Sequence, residues 1–199
     1  MLYVGIDPGL SGGIAAISER GSVLRVRRMP KTDGELLAIF KQLDDLASFD
    51  DGGVFAMLEH VHSTPQMGVA SSFTFGVGFG KLLMCLEAVQ MPYELVAPIR
   101  WQNVIQCRTP REVRAELGHK DKNINKRKAQ ELFPREEVTH AIADALLLAE
   151  YCRRVRGGKL FDTSAQEEER GKEKREARNT RQGTAPTPTA ATRRRRRRT

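Results

Sequence analysis

Short apolar runs and turn-forming residues alternate along the first third of the chain. Leu2–Asp7, Gly13–Ser18 and Ser22–Met29 are mostly apolar segments joined by Gly-containing turns, the pattern of an antiparallel meander. Asp33–Leu46 places apolar residues at 36, 37, 39, 40, 43 and 46, which is one face of a helix. Val54–His60, after the turn sequence DDGG, reads as a buried strand. Ser71–Gln90 is apolar on nearly every side and carries Gly76, Gly78 and Gly80, which predicts a close-packed central helix. Tyr93–Ala97 is a further strand, stopped by Pro98, and helices are predicted at about 99–106, 110–117, 123–133 and 137–156. A meander followed by strand–helix–strand crossovers predicts an α/β fold with a five-stranded mixed sheet and helices on both faces.

Composition changes sharply near Asp162. From there to residue 199 the chain has no aromatic residue and is rich in charge, Thr and Pro. Such a segment buries too little surface to offset its ordering entropy, so residues 162–199 are expected to be a disordered tail and residues 1–161 one domain. The tail ends in six arginines, Arg193 to Arg198, which predict non-specific, salt-sensitive binding to phosphates; the alternative is a merely solubilising extension. Charge is uneven elsewhere too. Residues 1–99 hold 7 basic and 11 acidic residues, whereas residues 100–161 hold 14 and 8. Attraction to a polyanion therefore belongs to the second half, and the acids of the first half need another explanation. Cys85, Cys107 and Cys152 are widely spaced in apolar or helical sequence, as expected of buried thiols in a reducing cytoplasm. No run of 18 or more apolar residues and no basic-then-apolar leader is present, so neither a membrane span nor secretion is expected.

Two strands end on acids. Asp7 closes the first apolar strand and Glu59 closes VFAMLE. If those strands lie parallel, both acids stand at the carboxyl edge of the sheet, where ligands collect in open α/β folds. Either acid alone reads as a turn cap or a surface ion-pair partner. Two at corresponding ends are costly together unless a cation binds. In THAIADALLLAEYCRR, His140 and Asp144 are four residues apart and share a helix face, and the alanines around them allow close approach to the sheet. Asp7, Glu59 and Asp144 with His140 make an oxygen-rich set with one imidazole, suited to Mg²⁺ or Mn²⁺ rather than structural zinc.

The segments GIDPGLSGG, LEHVHSTPQMGVASSFTFGVGFGKL, PIRWQ and HAIADALLLAEY resemble, in that order, the RuvC-type Holliday-junction resolvases of the RNase H-like superfamily, in their bacterial and phage branch. The resemblance covers roughly residues 1–156. It implies an RNase H-like fold and phosphodiester hydrolysis by two metal ions, Mg²⁺ with Mn²⁺ as substitute, leaving 5′-phosphate ends. Matched by position, Asp7 is the acid of the first strand, Glu59 that of the fourth and Asp144 that of the last helix. His140 falls near a fourth ligand position, although it stands four residues before the last acid where family members usually have three. The resemblance further implies a homodimer acting on a four-way DNA junction.

GHKDKNINKRKAQELFP carries Lys120, Lys122, Lys126, Arg127 and Lys128, and Arg108, Arg111 and Arg114 extend that basic surface. By resemblance Lys122 is the lysine expected to contact the scissile phosphate, with Lys120 second; the plain alternative is a solvated basic face. Phe73, Phe75 and Phe79 are expected mostly in the core, with Phe73 or Phe75 available to stack on an unpaired base. Gln66 to Ser72 form the expected approach to the site, and Trp101 a core residue. The competing readings are a nuclease of the same fold acting on other branched or hybrid nucleic acids, an inactive DNA-binding relative, and an actin-like nucleotide-binding module. The last would need a second glycine-rich phosphate hairpin, and none is present.

Overall fold

The computed structural model describes residues 1–48, 52–61, 67–117 and 121–157. Five strands, β1 (Leu2–Asp7), β2 (Gly13–Ser18), β3 (Val23–Arg28), β4 (Val54–Glu59) and β5 (Tyr93–Val96), form one mixed sheet in the order β3-β2-β1-β4-β5. The first three are the predicted antiparallel meander, with a register irregularity at Ala16/Ile17. β4 then joins β1 in parallel and β5 joins β4 in parallel. The helices are α1 (Asp33–Ser48), α2 (Val69–Ala88), α3 (Pro98–Ile105), α4 (Arg111–Leu117), α5 (Ile124–Leu132) and α6 (His140–Arg156). The predicted tail lies outside the described residues.

Strand periodicity divides the core in two. Leu2, Val4 and Ile6 of β1, Ile14 and Ala16 of β2, and Val54, Ala56 and Leu58 of β4 pack beneath α1 and the end of α2. The alternate residues, Tyr3, Ala15, Ile17 and Met57, pack with α3, α5 and α6 on the other face. Almost all of α6 from Ala141 to Cys152 is buried there. It approaches so closely because β1 offers it Gly5: a Cβ at that position would stand 2.2 Å from the Ala145 carbonyl oxygen and 2.3 Å from the Ala149 nitrogen.

α2 departs from expectation. Only Leu82, Cys85 and Leu86 are buried, near its C-terminal end. Phe73 is 74% exposed, Val69 89% and Met84 65%, and Gly76, Gly78 and Gly80 face open space. High apolarity on all sides predicted burial, yet one apolar stripe projects from the domain. By length and composition alone this helix could cross a bilayer. Its own packing ties it to the domain through the buried Leu82, Cys85 and Leu86 and an ion pair of Lys81 with Asp33 at 2.7 Å.

Gly5→Ala would normally favour a strand slightly, but here it drives a methyl group into backbone. We expect a loss of about 1–3 kcal/mol or more, read as a lower urea midpoint with an unchanged denaturant slope.

Candidate functional site

β1 and β4 run in step, with Ile6 opposite Leu58, so Asp7 and Glu59 end the two strands side by side at the carboxyl edge. Side chains alternate along a strand. Asp7 has the parity of Tyr3 and Gly5, and Glu59 that of Met57, so both acids lie on the sheet face covered by α6. The turn after Asp7 closes tightly: a Cβ on Gly12 would collide with the Asp7 carbonyl oxygen at 2.1 Å, so only glycine fits. α6 brings Asp144 to the same edge, with His140 exposed one turn earlier, at the helix start.

The three carboxyls sense one another. Burial, then the charges of Asp144 and Glu59, push Asp7 up to about 8. Burial pushes Glu59 up to about 7, opposed by a hydrogen bond from Trp101 and reinforced by Asp144. Burial also raises Asp144, opposed by a hydrogen bond from Asn125 and by the nearby His140. The two hydrogen bonds are well formed: Trp101 Nε1 donates to Glu59 Oε1 at 2.8 Å, and Asn125 Nδ2 donates to Asp144 Oδ1 at 2.8 Å. A second acid on α6 gives the contrast. Glu150 is only 5% exposed, and burial alone would raise its pKa. Arg153 and Arg154 bond to it at 2.7–2.8 Å and bring it below the ordinary value instead. Among the described residues no lysine or arginine does the same for Asp7, Glu59 or Asp144.

This donor set fits a hard divalent cation. Three desolvated carboxyls are close enough to act on one another, an imidazole acts on Asp144, and among the described residues the Asn125 Oδ1 atom is buried without a hydrogen-bond partner. The acids are not closed into a coordination shell: among the described residues no group of three or more His, Cys, Asp or Glu side chains could hold a metal ion as it stands.

Beside the acids, α3, the start of α4 and the residues before α5 enclose a cleft of about 1080 Å³. Lys122, Arg108 and Arg111 line it, together with Gln102 and Asn125. Lys122 is exposed there, as its predicted role requires. Lys120 and the side chain of Arg114 lie outside the described residues, as does Gln66 of the expected approach. The other basic positions are less free. Arg127 pairs with Asp121, and Lys128 pairs with Glu131 at 2.8 Å. Lys126 is half-buried on α5. Phe73 is open to solvent, whereas Phe75 and Phe79 are half-buried and stack with ring centroids 6.2 Å apart; only Phe79 packs against the core, so the expectation that most of these rings lie there fails. Trp101 is fully buried, as expected, but its bond to Glu59 was not foreseen. Asn125 was also missed, since nothing local marks one asparagine in a basic helix.

No protein-family profile matches the chain, and no curated protein sequence matches it. Solved structures do. The RuvC protein of Thermus thermophilus in complex with a Holliday junction substrate aligns at a TM-score of 0.53 and 15% identity, over 79% of this chain and 96% of that one. A second Thermus thermophilus RuvC structure aligns at a TM-score of 0.54 and 19% identity, over 79% of this chain and 97% of that one. The chain therefore has the RuvC fold, the RNase H-like mixed sheet expected from its motifs.

The raised carboxyl pKa values have a consequence for stability. Between about pH 4 and pH 8 the metal-free folded chain holds more protons than the unfolded chain, so this contribution is complete at low pH and is lost as pH rises through the folded values. In EDTA the melting temperature should fall from about pH 5 to pH 8. Asp7→Asn should flatten that fall and melt higher than the parent at pH 8 in a calorimetric scan. Identical slopes in the two proteins would show that Asp7 is not strained.

Proposed function

We propose that this chain is a divalent-metal-dependent endonuclease that cuts branched DNA, specifically four-way junctions, by phosphodiester hydrolysis. The observation that carries this reading is the cluster of Asp7, Glu59 and Asp144: desolvated, on one face of the sheet, and, among the described residues, without the basic partner that Glu150 has. Carboxylates held this way favour bound cations, and the adjoining cleft offers Lys122, Arg108 and Arg111 to phosphates. The fold is shared with a protein whose solved complex contains a Holliday junction, which supports the choice of substrate.

Asp7, on the central strand, Glu59 and Asp144 would hold the metal. Mg²⁺ or Mn²⁺, two per site, would supply the charge that lowers the pKa of an attacking water and stabilises the leaving 3′-oxygen. Lys122 holds the scissile phosphate at the cleft. His140, exposed at the helix start, joins the metal or passes a proton. Phe73 stacks on a base opened at the junction centre, and Arg193 to Arg198 add salt-sensitive attraction to the backbone. The domain spans residues 1–161, works in the cytoplasm, and binds no membrane.

A junction has two-fold symmetry, and a homodimer would match it. The exposed stripe of α2 supports this: Val69, Phe73, Val77 and Met84 recur on one side of the helix, with Gly76 and Gly80 between them, leaving room for a second backbone. The double variant Val77→Lys/Met84→Lys should sediment as a monomer while the parent sediments as a dimer. A monomeric parent would remove the dimer from the reading.

Cleavage should occur on a mobile four-way junction with Mg²⁺ and stop in EDTA. Linear duplex should resist. Asp7→Asn should lose cleavage and keep junction binding in a gel-shift assay. Cutting of an RNA–DNA hybrid without junction cutting would shift the assignment to another nuclease of this fold.

A further inference from the structure

Asn125 sits where the basic cleft meets the acid cluster. It lines the cleft with Lys122 and Gln102, and its amide nitrogen reaches Asp144 on α6. Its neighbours do not need it to hold α5 in place. Ala129 and Phe133 are buried against the same core as α6 and anchor that helix apolarly. An ionised carboxylate only accepts hydrogen bonds, so the amide must turn its nitrogen toward Asp144 and its oxygen away. Among the described residues that oxygen is then buried without a donor, an arrangement that costs free energy. Among the described residues no side chain donates to the second oxygen of Asp144, Oδ2, and the charge of Asp144 is felt by Asp7.

We infer that Asn125 is a positioning residue for the metal site: it engages one oxygen of Asp144, presents the other for a divalent cation, and offers its own amide oxygen to a water of the cation's hydration shell. This rests on the metal-dependent reading above and adds to it a residue on the cleft wall. Lys122, which lines the same cleft, stands three residues before Asn125 in the chain. Removing partners of this kind commonly weakens metal binding 10- to 100-fold.

Asn125→Leu tests the inference on the full chain, since Leu keeps the volume and removes both the donor and the orphaned acceptor. Mn²⁺ alone is titrated calorimetrically into each protein, and melting is followed in EDTA. We expect Asn125→Leu to melt at or above the parent temperature and yet bind Mn²⁺ about 10- to 100-fold more weakly. The Mg²⁺ concentration for half-maximal cleavage should rise in proportion. Asn125→Ala, run alongside, should show the same loss of affinity. Unchanged Mn²⁺ affinity in either folded variant overturns the inference, and so does failure of both variants to fold, which would assign Asn125 to the fold alone. A parent chain that binds no Mn²⁺ would instead overturn the metal-dependent reading itself.

Discussion

The contact between α6 and β1 is the constraint on which the rest of the molecule depends. With no side chain at Gly5, the helix backbone rests directly on the central strand, at a spacing no other residue would permit. Asp144 is thereby carried down to the level of the strand ends, where Asp7 and Glu59 finish. The close packing of protein interiors makes that geometry stiff, so the acids are held together by apolar contacts elsewhere. The cluster is imposed by the fold, not by attraction among its members.

That imposition has an energetic signature. Three carboxyls in one desolvated corner repel one another, and each is shifted toward its neutral form. α6 itself carries the comparison. Glu150, two turns beyond Asp144, is even less exposed but stands between two arginines, which hold its pKa below the ordinary value. Among the described residues the same helix thus gives one acid two arginine partners and the other a neutral amide donor. A fold stabilised elsewhere can carry such local strain, and a site of this kind is where a cation gains most by binding. Trp101 and Asn125 set the orientation of two of the acids through neutral donors, which fix geometry without cancelling charge.

α2 shows the limit of hydropathy. Its residues are apolar around the whole helix, and a rule that places apolar residues inside predicts a central position. The structure buries only the end near Leu82 to Leu86 and leaves the stretch from Val69 to Val77 at the surface. Hydrophobicity measures the tendency to leave water. It does not say whether the covering surface belongs to the same chain or to another.

Much of the architecture was legible in the residue order: the meander, the two parallel additions, and six helices within a few residues of their observed bounds. Period-two alternation even assigns Asp7 and Glu59 to one sheet face once their strands are paired, because strand parity is a local property. The resemblance in four short motifs pointed to the fold that the solved structures share. What sequence could not supply were relations between segments distant in the chain. That Trp101 reaches Glu59 across 42 positions, that Asn125 reaches Asp144 across 19, and that α2 is bare all depend on where helices come to rest. Backbone preferences and apolar periodicity are written residue by residue, so the chain states its elements and the face each buries. Which polar atoms then meet, and which acids go without a partner, is decided only when those faces pack.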